Sequence, residues 1–284
     1  MLRSLTLSLA ILLCCSSVFA REIRYPNVDS LGESALGYAV LKLALSKVDG
    51  DFHVALDRRN ASAKRILMML EQGQIDVVDG GFSIRTMTRF QPIYLPLDMG
   101  LTGWRLMVIH KDLASQLAKV NTLAELRTFT MGQGVSWYDA DILRHAGFTV
   151  STAPSVLSLL RMARMKRFDL LPLEAPAVYR FLDRLGEHDQ QLTVDKHLVL
   201  IYPFGRFFSV RRDDTQLKQA LEQGMEAALD DGSLLALLKT HPLSRDAFER
   251  ADLEHRVQIR IDTPNLTEGF KAIPDKWWYR PNVH

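Results

Sequence analysis

The chain has 284 residues, with 35 lysines and arginines against 33 aspartates and glutamates, which gives a net charge of +2. This balance excludes the clustered positive charge on which nucleic-acid binding depends. The only cysteines are Cys14 and Cys15, so the chain after residue 20 has no disulfide, thiol nucleophile or thiolate metal ligand.

The first 20 residues have the pattern of a secretory signal peptide. Arg3 precedes an apolar run over 5–13, and 18–20 (VFA) form a small-x-small ending. The run is shorter than the roughly 20 residues that span a bilayer. We expect cleavage after Ala20 and a soluble periplasmic protein. A lipoprotein signal acylated at Cys14 or Cys15 is the alternative, and the leucines before Cys14 disfavour it.

Strand and helix patterns alternate along the first hundred residues. Hydrophobic positions in 63–70 recur at helical spacing, and Gly73 ends that helix. A β-α-β-α-β series predicts a mostly parallel sheet covered by helices. In chain order, the expected elements are a strand at 22–26, a helix at 36–48, a strand at 52–56, a helix at 63–70 and a strand at 75–78.

A long apolar strand over 104–110 comes next, and the alternation then restarts. A second long strand over 198–210 carries Pro203 and Gly205 in its middle. Two α/β units without a flexible linker predict one lobe inserted into another, with the long strands as crossovers and a ligand cleft between the lobes. We expect the first lobe from 21–108 and 205–284, and the second from 109–204. The expected elements between and after these strands are helices at 122–126, 139–145, 156–163, 176–185 and 215–230, and strands at 129–131, 148–151 and 169–173.

Three short motifs carry a family resemblance. They are 73–78 (GQIDVV), 81–84 (GFSI) followed by Arg89, and 132–137 (GQGVSW). With them, the chain resembles the amino-acid-type periplasmic solute-binding proteins, family 3 of the bacterial extracellular binding proteins, over nearly all of its length after residue 20. The resemblance implies a type II periplasmic-binding-protein fold, in which two α/β lobes are joined by two crossover hinge strands and the ligand lies between them.

The resemblance also implies two charged ligand contacts. Arg89 corresponds to the arginine that grips the ligand carboxylate, a task suited to a planar fork of donors. It lies one place later than in the family, and Arg85 is the alternative. Glu174 corresponds to the acid that binds the ligand ammonium; from the residue alone it also fits an acid at a helix entry. We expect Arg89 and Glu174 on opposite walls of the cleft.

Further cleft residues follow from the same resemblance. Ser83 is the remaining hydroxyl, since Gly80 and Gly81 replace two others. The turn over 133–136 follows a predicted strand and precedes a helix, whose free N–H groups favour an anionic group; an ordinary strand-to-helix turn is the alternative. Two aromatic residues are candidates for ligand stacking, and core packing is the alternative for each. The expected contacts are Ser83, Gln133, Gly134, Ser136, Trp137 and Tyr25.

No nucleophile elbow, P-loop or zincin motif occurs, and the eight histidines show no ligand spacing. We therefore expect no metal, cofactor or catalysis. The resemblance implies a monomeric binding protein that closes over an amino acid or a related small carboxylate or amine and delivers it to a membrane permease. A sensor, acting alone or through a receptor, is one alternative. A dehydratase-like periplasmic enzyme is another, with Glu174 and Asp139 as candidate acid–base groups.

Overall fold

The computed structural model describes residues 21–185 and 191–281, apart from the side chain of Asp29. The predicted signal peptide at 1–20 therefore lies outside the described residues. The strands are β1 Arg21–Asn27, β2 Phe52–Asn60, β3 Val77–Gly81, β4 Gln91–Pro92, β5 Trp104–His110, β6 Met131–Gly134, β7 Val150–Ala153, β8 Leu170–Glu174, β9 Leu192–Val194, β10 Leu198–Ile201, β11 Arg206–Val210 and β12 Val257–Arg260. The α-helices are α1 Leu36–Leu45, α2 Ala63–Glu71, α3 Ile84–Arg89, α4 Ala114–Leu117, α5 Leu123–Leu126, α6 Asp139–His145, α7 Val156–Arg164, α8 Val178–Asp183, α9 Thr215–Asp230, α10 Ser233–Thr240, α11 Asp246–Glu249 and α12 Glu268–Lys271.

Side-chain caps fix several helix starts. Ser62 accepts the N–H of Arg65 at the start of α2, and Asp214 accepts the N–H of Leu217 at the start of α9. Thr122 forms a reciprocal capping box with Glu125 at α5. Each cap satisfies backbone donors that have no partner inside the helix. The predicted bounds of α9, which has such a cap, match the structure, and so do those of α6, which has no side-chain cap.

The first lobe contains two small sheets. β1 pairs in parallel with β2, and β11 lies between β3 and β4 with antiparallel pairing to both. The N–H of Asp76 donates to the carbonyl of Arg24 at 2.9 Å, which joins β3 to β1. α1 packs against α9 and α10, so residues beyond 205 return to this lobe.

The second lobe is built on one larger sheet. Its strand order is β12-β10-β5-β8-β6-β7, with β9 paired to β5. β6 is parallel to both β7 and β8, as the β-α alternation predicts. β12, from the C-terminal part of the chain, pairs in parallel with β10. The segment 205–284 therefore contributes to both lobes, and the lobe limits expected from the sequence stay a prediction.

The chain crosses between the lobes in two segments that touch each other. The first crossing segment is 93–103, between β4 and β5, and the second is 202–205, between β10 and β11. The second long strand of the sequence divides into β10 and β11, which belong to different sheets and are separated by 202–205. Tyr202 donates its N–H to the carbonyl of Gly103 at 3.2 Å. A side chain at Gly103 would overlap the Tyr202 carbonyl. Asp98 accepts the N–H groups of Thr102 and Arg206, one from each segment.

The largest buried cluster runs through both lobes. It includes Leu41 of α1 and Leu217 of α9, and it continues to Leu106 of β5 and Leu159 of α7. The hinge therefore lies against continuous apolar packing. Within the described ranges, no helix combines the length and hydrophobicity needed to cross a lipid bilayer.

Candidate functional site

Charged side chains converge where the strands of the two lobes meet the crossing segments. In the first lobe, Arg206 at the start of β11 lies opposite Gly81 at the end of β3. In the second lobe, Arg105 near the start of β5 lies opposite Glu174 at the end of β8. Directly opposed residues of an antiparallel pair point to the same face of a sheet. Arg105 and Glu174 therefore share one face of the second sheet beside the hinge.

The first triad consists of Tyr25, Asp79 and Arg206. The Tyr25 hydroxyl donates to Oδ1 of Asp79. Arg206 donates from Nε to Oδ2 of Asp79 at 3.1 Å and forms an ion pair with it through Nη2. The Asp79 side chain is only 1% exposed, whereas that of Arg206 is 32% exposed. A side chain at Gly37 of α1 would overlap both Asp79 and Tyr25, so this position needs glycine.

These contacts fix the protonation states of the first triad. Burial, together with the negative charge of Asp79, raises the pKa of the Tyr25 hydroxyl well above its ordinary value. The Asp79 carboxylate also raises the pKa of the Arg206 guanidinium. Tyr25 is therefore a neutral donor and Arg206 a permanent cation.

The second triad consists of Tyr202, Asp139 and Arg105. The Tyr202 hydroxyl donates to Oδ1 of Asp139 at 2.5 Å, and Nη2 of Arg105 forms an ion pair with the same oxygen. The side chains of Arg105 and Asp139 are 4% and 7% exposed. The guanidinium lies over the rings of Tyr202 and Phe204, at 5.2 and 5.5 Å from their centroids. Its buried Nε has no hydrogen-bond partner.

Burial raises the pKa of the Tyr202 hydroxyl well above its ordinary value. Burial alone would lower the pKa of Arg105, but the neighbouring carboxylates, Asp139 foremost, raise it overall. Arg105 is therefore charged although it is buried, and Asp139 supplies the countercharge that a buried cation requires.

Glu174 acts electrostatically on the arginines of both triads. Its negative charge contributes to the raised pKa of Arg206, after the larger effect of Asp79, and to that of Arg105, after the larger effect of Asp139. Within the described residues, no hydrogen bond or ion pair joins the Glu174 carboxylate to another side chain, and the residue is partly exposed. The site thus presents one carboxylate without a direct partner beside two fixed guanidinium groups.

The structure does not bring Arg89 and Glu174 together. Val210 of β11 pairs with both Val77 and Gln91, so Arg89 lies at the opposite end of β3 from Gly81. Four residues of strand separate those ends, about 13 Å. Arg89 is exposed and donates from Nε to Glu71 at 3.2 Å. Arg85, the alternative, is also exposed. A ligand contact from Arg89 stays a prediction; Arg105 lies directly opposite Glu174, and Arg206 is the first-lobe arginine whose pKa the Glu174 charge helps to raise.

The remaining predicted contacts are distributed unevenly. Ser83 precedes α3, is partly exposed and lies two residues beyond the end of β3. Gln133 is fully buried, donating to the carbonyl of Pro172 at 3.3 Å and accepting the N–H of Gly134 at 3.1 Å. Gln133 and Gly134 belong to β6 rather than to the turn expected from the sequence, because β6 continues to Gly134. Ser136 is exposed just beyond that strand.

The two aromatic candidates occupy different surroundings. Trp137 is partly buried, and its indole fills the space that a side chain at Gly134 would need. Tyr25 is 1% exposed and contacts Tyr38 edge-on, with 5.8 Å between ring centroids. Its hydroxyl is committed to Asp79. In this arrangement Tyr25 supports the charged site rather than presenting a ring face to a solute.

Sequence reasoning missed most of the triad residues as site candidates. One available signal was Arg105, a charge inside the apolar run WRLMVI. A buried charge requires a partner, but only the fold shows that the partner is Asp139. Asp79 carried a similar signal, because it follows two valines on a buried strand. Within the described ranges, no group of three or more acidic, histidine or cysteine side chains is placed to hold a metal ion.

Sequence comparison finds no matching family model and no matching curated protein. Comparison of structures finds many matches. An ancestral arginine-binding protein bound to arginine is 13% identical, with a TM-score of 0.52 over 78% of this chain and 99% of the other. YckB from Bacillus subtilis is 13% identical, with a TM-score of 0.53 over 85% and 95%. A histidine kinase sensor domain with similarity to periplasmic binding proteins is 13% identical, with a TM-score of 0.53 over 78% and 96%.

This chain has the two-lobed fold of the periplasmic binding proteins. The predicted α/β architecture with two crossover segments is thereby confirmed. Periplasmic binding proteins close their lobes around ligands by hinge motion. Glu174 and the two triads lie beside the segments about which such a motion would occur.

Proposed function

We propose that this protein is an exported, monomeric, non-catalytic binding protein that closes over a small polar solute. The observation that carries the proposal is the placement of Glu174, from the second lobe, and Arg206, from the first, at strand ends beside the crossing segments, with the Glu174 charge helping to raise the pKa of Arg206. Arg206 contributes Nε and Nη2 to Asp79, which leaves Nη1 for an acceptor on the solute. Glu174 is the corresponding acceptor for an amine.

This arrangement suits an amino acid or a related small carboxylate or amine. An acidic group of the solute would bind Arg206, and an amino group would bind Glu174, each by a charge-assisted hydrogen bond. Because the two residues belong to different lobes, such a solute would favour the closed form. The similarity in fold to an arginine-binding protein supports this class of solute.

We further propose that the bound solute is delivered to a membrane permease, with the predicted signal peptide at 1–20 directing the protein to the periplasm. Sensing through a receptor is a second candidate, favoured by the similarity in fold to a histidine kinase sensor domain. Catalysis is less well supported, because Asp139, one of the two candidate acid–base groups, is committed to Arg105 and Tyr202.

A thermal-shift screen of amino acids, small carboxylates and amines tests the proposal. A solute at a hundred times its dissociation constant should raise the free energy of unfolding by about 2.7 kcal/mol. If no compound of these three classes stabilises the protein, the proposed solute class is contradicted.

Calorimetry with the solute identified by this screen should then distinguish a site formed by Arg206 and Glu174 from the site that the family motif predicts at Arg89. Losing a charged contact that is desolvated on closure costs roughly 2–5 kcal/mol, so Arg206→Ala and Glu174→Gln should each weaken binding by about thirtyfold or more. Arg89→Ala is the matched control and should bind as the unmodified protein. Weakened binding in Arg89→Ala with normal binding in Arg206→Ala would instead support the site expected from the family motif.

A further inference from the structure

The C-terminal segment 257–281, here called the strap, is attached to the second lobe at its beginning. Its strand β12 pairs with β10, and Ile261 donates its N–H to the carbonyl of Ile201 at 3.0 Å. The Tyr138 hydroxyl, at the start of α6, donates to the carbonyl of Pro264 at 2.6 Å. The strap is therefore fixed to this lobe as far as Pro264.

The next part of the strap is attached to the first lobe. The hydroxyls of Thr267 and Tyr94 form a hydrogen bond of 2.9 Å. Phe270 is 3% exposed and packs between Phe82 and Phe207, with ring centroids 4.9 and 5.6 Å away. Phe82 directly follows β3, and Phe207 lies on β11. The strap thus passes from one lobe to the other.

The strap also covers the crossing segments. Thr263 donates its hydroxyl to the carbonyl of Pro203 at 2.7 Å. Tyr279 donates its N–H to the carbonyl of Met99 at 2.7 Å. The Trp278 indole occupies the space beside Gly100, where a side chain would overlap it. Both crossing segments are therefore held by the same stretch of chain.

We infer that the strap is a clamp that limits how far the two lobes open. Only Asn265 and Leu266 separate Pro264 from Thr267, so the Cα atoms of these two attachment residues can be at most about 11 Å apart. The tether cannot extend beyond that distance. Wide opening would have to break the Tyr138 hydrogen bond or withdraw Phe270 from its apolar site.

Distance measurements on the solute-free protein test this inference independently of the proposed function. The chain after residue 20 contains no cysteine, so spin labels can be placed through Lys64→Cys on α2 and Arg161→Cys on α7, both exposed. A specific protease site inserted between Asn265 and Leu266 allows the strap to be cut without removing any of its side chains. The same insertion between Gly50 and Asp51, within the first lobe, is the control.

Cutting the strap should lengthen the mean interlobe distance by several ångströms and broaden its distribution, whether or not the fragment beyond the cut remains bound. The control cut should change neither. Identical distributions for the strap-cut protein and for the labelled protein without the insertion would overturn the inference.

Two single-hydroxyl variants of the uncut chain provide a test that does not depend on the insertion. Tyr138→Phe removes the side-chain hydrogen bond that fixes Pro264 of the strap to the second lobe, whereas Tyr94→Phe removes a side-chain hydrogen bond between the strap and the first lobe. We expect the interlobe distance distribution to broaden in Tyr138→Phe and to stay unchanged in Tyr94→Phe. Equal distributions in the two variants would show that the Pro264 attachment does not restrict opening.

Discussion

The first and second triads use the same three residue types on the two sides of the crossover, yet they leave their arginines in different states. Arg206 of the first triad keeps about a third of its side chain exposed, whereas Arg105 of the second is 4% exposed. Both arginines are held charged by a buried carboxylate. The same ion pair is thus left partly open to solvent in one lobe and forms an internal support in the other.

The largest effect is expected at the second triad. Asp139→Asn removes the countercharge of a buried guanidinium, and such a change costs about 3–5 kcal/mol. Urea unfolding monitored by circular dichroism measures the loss. The double variant Arg105→Met with Asp139→Leu should regain most of it, because no unpaired charge remains buried. A loss in Asp139→Asn below about 1 kcal/mol would show that Arg105 does not depend on this carboxylate.

A smaller effect is expected at the first triad. Asp79→Asn removes the same kind of ion pair, but Arg206 is exposed enough to turn toward water. We expect a loss of about 1–3 kcal/mol, the range for leaving buried hydrogen-bonding groups without a partner. The same unfolding measurement applies. Equal losses in Asp79→Asn and Asp139→Asn would remove the distinction between the two triads.

The smallest effect is expected from the tyrosine hydroxyls. Tyr25→Phe and Tyr202→Phe should each cost about 0.5–1.5 kcal/mol at neutral pH, the net contribution of one hydrogen bond. Because burial raises the pKa of both hydroxyls above the ordinary value of 10.0, their contribution also depends on pH. It is fully present below about pH 10.

As the pH rises further, the unfolded chain loses its tyrosine protons before the folded chain does, and stability decreases. Each phenylalanine variant lacks one of these groups, so its unfolding free energy should fall less steeply between about pH 9 and 11 than that of the unmodified protein. Unfolding curves across this range measure the slopes. Parallel slopes in all three proteins would show that neither hydroxyl titrates differently in the two states.

The sequence predicted the elements that local signals specify. Helices α6 and α9 have their expected bounds because their apolar faces and end residues are encoded within the elements themselves. α3 was missed because six residues are too few for a helical period to be recognised. β12 was missed because its pairing with β10 depends on a distant part of the chain.

The candidate site was predictable only in part, for a similar reason. Glu174 was placed by the family resemblance, and the structure puts it opposite Arg105 of the second triad. Arg89 was placed by a motif whose spacing is shifted by one residue, and α3 carries it to the far end of β3. Arg206 and Asp79 come together across β11 and β3, a proximity that no local pattern encodes.

The contact between Gly103 and the Tyr202 carbonyl has a mechanical consequence. Two crossing segments that touch at their backbones have no gap across which one can slide past the other. The two segments should therefore move together when the lobes rotate relative to each other. Because displacement grows with distance from a rotation axis, a rotation about the crossing segments would move the far ends of the lobes most, and Arg105 and Arg206, which adjoin these segments, least.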